Sequence, residues 1–389
     1  MFNIKTLNKI SETGLNILDA GKYAVSDDIE NPDAILVRSA KMHEYNFNSE
    51  LLCIARAGAG TNNIPVDRCG DEGIVVFNTP GANSDAVKEL VICSLLLSSR
   101  NVLGGVEWVK TIADNGDEVA AMVEKGKSAF VGPEICGKTL GVIGLGAVGA
   151  KISHDALRLG MNVYGYDPYL SIDAAWNLSS NIIHAMDVET IYKNCDYITI
   201  HIPYMDSTKH FIDAEAISHM KPGVRIINLA RGELVNDDDI IAAIDSGKVA
   251  IYVTDFPNGK TANVPGIIAI PHLGASTPES EDNCAVMAAH ETIEYLENGN
   301  ISNSVNMPNA YLPRSGDPRI CIIHKNIPDM LSKITTAVSA GGINIENMVN
   351  AGSKNRAYAY TIIDVGSVPD SLEKAIRAID GIIRVRIIR

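Results

Sequence analysis

The sequence predicts an α/β protein with a doubly wound parallel sheet, a smaller α/β unit before it and a βαββαβ module after it. Three observations predict this fold class. Short β-branched runs alternate with longer amphipathic runs in the middle of the chain, a glycine-rich turn follows the first of these runs, and a proline-punctuated stretch precedes a last alternation of strands and helices. The length of 389 residues allows two or three domains.

Composition and charge exclude several classes of protein. The chain has 33 Lys and Arg against 47 Asp and Glu, a formal charge of −14, which disfavours binding to nucleic acid or to an anionic membrane. No apolar run reaches about 18 residues and the first residues have no signal-peptide pattern, so we expect a cytoplasmic protein. The seven cysteines are scattered without a C-x-x-C pair, which predicts reduced thiols, no disulfide framework and no metal site.

The strands are predicted from short β-branched or apolar runs, and the helices from apolar residues at helical spacing. Three early strands, at residues 35–37, 51–55 and 74–77, predict a small flavodoxin-like unit. A helix predicted at 86–97 leads out of this unit. Six further strands form the doubly wound sheet, at residues 139–143, 163–166, 197–200, 225–229, 249–253 and 267–270. A long helix at 285–297 follows. The module is predicted as strands at 320–324, 344–350, 358–365 and 382–388 with helices near 330–339 and 372–379.

These elements divide the chain into domains. Pro308, Pro313 and Pro318 stiffen a stretch that suits a linker. The elements therefore predict a small first unit, a larger doubly wound unit, a linker at 308–317 and a regulatory module at 318–389.

A G-x-G-x-x-G turn joins the first strand of the large sheet to a helical pattern. Gly144 permits a tight turn, Gly146 lets the backbone approach a pyrophosphate, and Gly149 lets the helix pack closely on the strand. The helix N-terminus, with Ala147 and Val148, offers free N–H groups to phosphates. This pattern predicts a Rossmann-type dinucleotide site, and a glycine-rich turn without a ligand is the less favoured alternative.

The acid at the end of the second strand predicts which dinucleotide binds. Asp167 follows Gly149 by 18 residues, where a carboxylate accepts hydrogen bonds from the adenosine ribose hydroxyls. Its charge would repel a 2′-phosphate, and residues 168–175 contain no Lys or Arg to offset it. NAD is therefore predicted over NADP, with a turn-forming role for Asp167 as the alternative.

Polar and basic residues follow the other strands of this sheet, where ligands bind in open parallel sheets. Arg231 has a planar guanidinium that can grip a carboxylate and polarise a carbonyl, and His272 can exchange a proton near neutral pH. A surface ion pair for the arginine and a hydrogen-bonded core histidine are the plainer alternatives. His201, next to Pro203, is predicted to line the adenine side of the site.

The first unit carries a second group of candidates. Arg38 and Arg56 follow strands, and the loop at 58–63 has bare backbone N–H groups that could hold an anion. A loop that includes Asn83 follows the third strand. In a protein of charge −14, a local group of arginines predicts an anionic small-molecule substrate, with solvated loop charges as the alternative.

Together these motifs resemble the NAD-dependent D-2-hydroxyacid dehydrogenases, in particular the branch that acts on D-3-phosphoglycerate. The similarity runs over nearly the whole chain. The motifs that carry it are VRS at 37–39, RAGAGTNN at 56–63, GKTLGVIG at 137–144, NLARG at 228–232 and PHLGAST at 271–277.

The resemblance implies a flavodoxin-like substrate-binding domain at 1–99 and 285–307 and a dinucleotide-binding domain at 100–284. It also implies roles for individual residues. Arg231 would bind the substrate carboxylate and keto oxygen, and His272 would be the acid and base. The other implied substrate-binding residues are Ala59, Gly60 and Asn83 for the carboxylate end and Arg38 and Arg56 for the phosphate. The other implied cofactor-binding residues are His201, Pro203, Leu229, Ala230, Asp255 and Gly274.

The chain departs from the family pattern beside its histidine. A Glu a few residues beyond the fifth-strand Asp usually pairs with that histidine, and residues 254–260 contain none. Either Asp255 takes over that catalytic role while facing the cofactor, or His272 works without a carboxylate partner.

The C-terminal module resembles an ACT domain. In related dehydrogenases the positions of His324, Asn326 and Asn344 bind L-serine between paired modules, and this chain has Asp329 where Gly is frequent. The resemblance therefore implies an L-serine effector and a homodimer or homotetramer, with a purely structural dimerisation module as the alternative.

The sequence predicts one function and leaves two alternatives to it. The predicted function is oxidation of D-3-phosphoglycerate to 3-phosphohydroxypyruvate, the first step of L-serine biosynthesis. The alternatives are NAD-dependent oxidation of another D-2-hydroxy acid and a corepressor-like protein that senses NAD without turnover.

Overall fold

The computed structural model describes every residue from Met1 to Arg389. The chain divides into two compact units. The first unit comprises Met1–Asn83 and Pro278–Arg389, and the second comprises Ser84–Thr277. The sequence prediction changed domains at 99/100 and 284/285. The unit boundaries fall earlier because the helix at Ser84–Ser99 packs on the large sheet of the second unit.

The first unit contains a five-stranded parallel sheet. Its strands are β1 (Phe2–Leu7), β2 (Tyr23–Ser26), β3 (Ala34–Val37), β4 (Cys53–Arg56) and β5 (Val75–Phe77). The strand order is β2-β1-β3-β4-β5, which is the flavodoxin-like order. The sequence predicted β3, β4 and β5 but not β1 and β2. In β1 only Ile4 is fully buried among polar neighbours, so its apolar pattern is weak.

The second unit contains a seven-stranded parallel sheet. Its strands are β6 (Thr139–Ile143), β7 (Asn162–Tyr166), β8 (Ile183–His184), β9 (Tyr197–Ile200), β10 (Val224–Asn228), β11 (Val249–Thr254) and β12 (Ile267–Ala269). The strand order is β12-β11-β10-β9-β6-β7-β8. From β6 the chain adds strands first on one side of the sheet and then, from β9 onward, on the other, as in a doubly wound Rossmann sheet. The fold class predicted from the sequence is confirmed.

The C-terminal module is a four-stranded antiparallel sheet with two helices. Its strands are β13 (Arg319–Lys325), β14 (Ile345–Gly352), β15 (Tyr358–Val365) and β16 (Ile382–Ile388), in the order β14-β15-β13-β16. All pairings are antiparallel. The βαββαβ order agrees with the sequence prediction.

Thirteen α-helices connect and cover these sheets. They are α1 (Glu12–Leu15), α2 (Val66–Asp71), α3 (Ser84–Ser99), α4 (Val102–Ile112), α5 (Val119–Gly126), α6 (Ala147–Arg158), α7 (Ile172–Trp176), α8 (Val188–Asn194), α9 (Ala214–His219), α10 (Asp237–Asp245), α11 (Pro278–Ile293), α12 (Met330–Ala340) and α13 (Asp370–Arg377). A π-helical turn, Glu294–Asn298, extends α11 and ends at the left-handed Gly299. No single helix is long and apolar enough to cross a membrane. Helix α3 and the following segment Val102–Phe130, which are bent by 65° relative to each other, are together long and apolar enough by length and composition only.

The module shares a hydrophobic core with the parallel sheet of the first unit. Tyr360, Cys321 and Ile362 of the module lie in one buried cluster with Phe77 and Tyr295. The module is therefore packed on the parallel sheet of the first unit and is not attached only through a free linker.

A buried ion pair fixes the predicted linker to the module. Arg319 is fully buried and binds Asp364 through two parallel hydrogen bonds of 2.6 and 2.9 Å. Its remaining N–H groups donate to the carbonyl oxygens of Asn298, Leu312 and Pro313 at 2.7 to 2.9 Å. All five guanidinium donors are used, which satisfies a charge that would otherwise be costly to bury.

The buried Glu291 makes the stability of the first unit depend on pH. Its Oε1 accepts a hydrogen bond of 2.7 Å from Asn303, whereas the buried Oε2 has no partner. Burial raises the pKa of Glu291 to about 8 from its usual 4.5. The folded state then holds a proton that the unfolded state has lost, so stability falls as the pH rises from about 4.5 to about 8, by about 1.4 kcal/mol per pH unit.

We predict that Glu291→Gln removes this pH dependence and stabilises the protein above pH 8, because the amide keeps an acceptor for Asn303 and carries no charge. Urea unfolding of both proteins between pH 6 and 9 measures the effect, with the exposed Glu279→Gln on the same helix as control. Parallel stability profiles for wild type and Glu291→Gln would contradict it.

Candidate active site

The glycine turn after β6 brings the start of α6 onto the strand end. Gly144 has a φ of +93°, and a Cβ there would stand 2.6 Å from the carbonyl oxygen of His201. A Cβ at Gly149 would overlap the carbonyl oxygen of Gly144. No larger residue fits at either position, so the glycines set the close approach of helix and strand.

The space in front of Gly146 is open. A Cβ at Gly146 would meet no protein atom within 4 Å, and Gly146 caps α6 without any side-chain hydrogen bond to the first turn. The N–H groups at Ala147 and Val148, with the positive end of the helix dipole, are therefore available to a phosphate. These features fit a dinucleotide pyrophosphate.

Asp167 forms hydrogen bonds with both the glycine turn and the turn that follows β7. Its two carboxylate oxygens accept hydrogen bonds of 2.9 Å from the backbone N–H groups of Leu145 and Tyr169. A carboxylate has further lone pairs, so Asp167 can still accept hydrogen bonds from ribose hydroxyls. The two interpretations given by the sequence, turn former and ribose acceptor, are compatible here.

His201 and its neighbours follow β9. The His201 Nε2 lies 2.8 Å from the hydroxyl of Thr199, and burial lowers the pKa of His201 to about 3. The ring is therefore neutral at physiological pH and cannot act as a cationic phosphate ligand. Pro203 is exposed, and its carbonyl oxygen accepts a hydrogen bond from Thr208.

The loop after β10 places Arg231 at the surface. Asn228 is buried at the end of the strand, accepts a hydrogen bond from the Ala230 N–H and donates one of 2.8 Å to the Arg231 carbonyl oxygen. The exposed guanidinium donates to the Ala230 carbonyl oxygen at 2.6 Å. Leu229 is buried beneath this loop. Asn228, which the sequence analysis did not assign a role, is thus the residue that shapes the arginine loop.

Asp255 follows β11 and is buried. Its Oδ2 accepts a hydrogen bond of 3.1 Å from the Gly274 N–H, whereas its buried Oδ1 has no partner. Burial raises the pKa of this carboxyl, and the charges of His272 and Arg231 act in the opposite direction. The free Oδ1 suits an amide N–H donor such as the carboxamide of nicotinamide.

His272 follows β12 and is exposed. Its ring packs against Phe256, with ring centroids 4.6 Å apart, and no hydrogen bond joins it to Asp255. Phe256 also borders Gly232, where a Cβ would stand 3.2 Å from the Phe256 Cβ. The histidine and the arginine loop therefore flank the same phenylalanine.

The candidate substrate residues of the first unit form a second group. Arg38 follows β3 and Arg56 ends β4, and the Arg56 Nε donates to the Arg38 carbonyl oxygen at 3.1 Å. The Ala59 carbonyl oxygen accepts a hydrogen bond of 2.6 Å from Asn78, which holds the loop that contains Gly60. Asn83 is the last residue of the first of the two segments that form this unit.

The Arg38 side chain has a partner that the sequence did not reveal. Its Nη1 lies 2.6 Å from Oε1 of Glu281, in the first turn of α11. The two residues are 243 positions apart, so no local pattern links them.

The candidate effector residues of the module differ in exposure. His324 is buried, with Nδ1 2.8 Å from the Lys325 carbonyl oxygen and Nε2 2.9 Å from the Thr361 hydroxyl. Asn326 and Asn344 are exposed, and Asn344 donates to Glu346. Asp329 has a φ of +66°, the left-handed region that glycine favours and Asp tolerates, so its substitution for glycine keeps the local backbone.

Comparisons with known proteins agree with this geometry. Residues 105–274 match the D-isomer specific 2-hydroxyacid dehydrogenase, NAD binding domain. A D-3-phosphoglycerate dehydrogenase of Escherichia coli is 32% identical, over 99% of this chain and 95% of the relative. The crystal structure of NAD+-bound 3-phosphoglycerate dehydrogenase from Entamoeba histolytica has a TM-score of 0.61 at 26% identity, covering 80% of this chain and 99% of that one.

The fold, the glycine turn and these matches define an NAD-binding protein of the 2-hydroxyacid dehydrogenase class, which confirms the cofactor predicted from the sequence. Since the similarity extends along nearly the full length of the Escherichia coli relative, the chain belongs to the D-3-phosphoglycerate dehydrogenase family. A Bacillus subtilis relative, 31% identical, is longer: the match covers 79% of this chain and 59% of the relative.

Proposed function

We propose that this protein oxidises D-3-phosphoglycerate to 3-phosphohydroxypyruvate with NAD, the first step of L-serine biosynthesis. The observation that carries the proposal is the arrangement at the strand ends beside the glycine turn. There His272 and Arg231 lie near enough to the buried Asp255 for their charges to act on its carboxyl group. The names of the relatives support the choice of substrate.

His272 is the proposed acid and base. Oxidation of the alcohol requires a group that accepts the hydroxyl proton, and an imidazole can do so near neutral pH. The His272 side chain is exposed and packed on Phe256, which orients the ring without engaging its nitrogens. Bound NAD supplies the hydride acceptor.

Arg231 is the proposed anchor of the reacting end of the substrate. Its guanidinium can donate two parallel hydrogen bonds to the substrate carboxylate and polarise the adjacent carbon–oxygen bond. Asn228 fixes the loop from below, so the guanidinium is presented from a rigid strand end.

Asp255 is proposed as a cofactor-facing residue that also adds negative charge near His272. Its free Oδ1 suits the carboxamide of nicotinamide, while its Oδ2 is held by Gly274. Its charge, when ionised, favours the protonated imidazole that forms when the alcohol loses its proton.

The phosphate of the substrate is assigned to Arg38 and Arg56. Two guanidinium groups on adjacent strand ends suit a dianion better than the neutral end of glycerate or lactate. This separates the proposed function from dehydrogenation of another D-2-hydroxy acid.

We predict that His272→Ala lowers turnover by about two to four orders of magnitude, because the proton acceptor is lost. Arg231→Ala should raise the KM for 3-phosphohydroxypyruvate and lower kcat while leaving NADH binding intact. Steady-state assays of keto-acid reduction and fluorescence titration of NADH measure both, with the exposed His290→Ala as control.

Near wild-type rates for both variants would reject the assignment. A wild type that binds NADH yet reduces no 2-keto acid would instead indicate an NAD-sensing protein without turnover. Equal efficiency on phosphohydroxypyruvate and hydroxypyruvate would favour a dehydrogenase of another 2-hydroxy acid.

We further propose that the chain forms a homodimer or homotetramer through α4. Val102, Leu103, Val106 and Val109 are 42 to 50% exposed along this helix. The helix packs chiefly on α5 and the turns beside it, with Trp108 against Phe130. Such an apolar stripe is typical of a contact with a second copy.

Val106→Asp should therefore dissociate the oligomer, because it places a charge in the apolar contact. Light scattering coupled to gel filtration measures the mass, and Glu107→Gln on the same helix should leave it unchanged. A monomeric wild type would contradict this proposal.

We also propose that L-serine binds the module and inhibits the enzyme. The exposed amides of Asn326 and Asn344 are suited to an amino acid, whereas His324 would have to exchange one of its present partners to take part. L-serine should raise the melting temperature and lower the rate, and D-serine should do neither. If Asn344→Ala responds to L-serine as the wild type does, Asn344 is not part of the effector site, and if the wild type shows no response the module has only a structural role.

A further inference from the structure

The ion pair between Arg38 and Glu281 occupies the place assigned to the substrate phosphate. The Nη1 to Oε1 distance is 2.6 Å, and the two side chains are 38 and 45% exposed. Both residues belong to the first unit. Because the pair is accessible to solvent, an anion can reach Arg38 and compete with the carboxylate.

The charge of this group depends on Glu281. Arg56 is joined to Arg38 through its Nε and the Arg38 carbonyl oxygen, so two cationic residues lie side by side. Glu281 neutralises the charge of Arg38. A dianionic phosphate is strongly attracted by two guanidinium groups and is repelled by a carboxylate placed against one of them.

The backbone of Glu281 is held in place. Glu281 lies in the first turn of a 16-residue helix, where the dipole favours a negative charge. The adjacent Asp282 forms a short hydrogen bond with the hydroxyl of Ser11, which ties this turn to the start of α1. The Glu281 carboxylate can therefore leave Arg38 by rotation of its side chain while the helix stays in place.

We propose that Glu281 competes with the substrate phosphate for Arg38 and so moderates the affinity of the site for the phosphorylated substrate, an inference that rests on the proposed function. Without substrate it neutralises one of two adjacent cations. A phosphate dianion displaces it, whereas the uncharged end of a smaller 2-keto acid leaves the ion pair closed. The cost of opening the pair therefore falls on the phosphorylated substrate alone, so Glu281 lowers the affinity of the site for the phosphate.

Glu281→Gln tests this competition, because glutamine keeps the size of the side chain and removes its charge. We expect the KM for 3-phosphohydroxypyruvate and the Ki for inorganic phosphate to fall about three- to tenfold at low ionic strength, and the difference to shrink with added salt. The KM for hydroxypyruvate and the Kd for NADH should not change. Glu279→Gln, in the same helical turn and without an ion pair, is the matched control.

Three outcomes would overturn the inference: no change in the KM for 3-phosphohydroxypyruvate relative to Glu279→Gln, an equal change for both keto acids, or a rise in the KM for the phosphorylated one. The last result would make Glu281 a positioning group for Arg38 and not a competitor. Failure of the proposed function is distinguishable, since the wild type would then reduce neither keto acid or would reduce both with equal efficiency.

Discussion

The architecture of the second unit depends on the close contact between the first turn of α6 and the end of β6. No side chain fits between them, because a Cβ at Gly149 would overlap the Gly144 carbonyl oxygen. This contact places the N-terminus of α6 at the edge of the sheet where all seven parallel strands end. The arginine loop after β10, the buried Asp255 after β11 and the exposed His272 after β12 lie at that same edge. A bulkier residue in the glycine turn would move the N-terminus of α6 relative to the arginine loop, Asp255 and His272.

A second constraint operates in the first unit, where the module and the parallel sheet share one core. Burying the charge of Arg319 is tolerated only because Asp364 and three carbonyl oxygens use all of its donors. Two of those carbonyl oxygens belong to the predicted linker, so the linker is part of the packed structure. A ligand-induced change in the module would therefore act directly on the sheet that carries Arg38 and Arg56, without a flexible joint to absorb it.

The sequence was informative where the signal is local. The β-branched runs of the large sheet, the glycine turn and the Asp167 that follows β7 are each recognisable within about 30 residues, and the structure has them where the pattern placed them. The amino-terminal strands β1 and β2 lack a clear apolar pattern and were not predicted. The partnership of Arg38 with Glu281 and the packing of Tyr360 beside Phe77 join residues more than 240 positions apart. Such pairs follow from the tertiary fold, and one sequence contains no signal for them.

We propose that two adjacent residues take over what the missing glutamate would supply beside His272. Phe256 packs on the imidazole and would limit its rotation, a task that a hydrogen-bonded carboxylate would otherwise perform. Asp255 is close enough to attract a protonated His272, but its Oδ2 is bound by Gly274 and its Oδ1 is free. Orientation and charge, which one glutamate would supply together, are thus divided between two adjacent residues. Because burial raises the pKa of Asp255, the charge it lends to His272 is largest at pH values above that raised pKa, where the carboxylate is ionised.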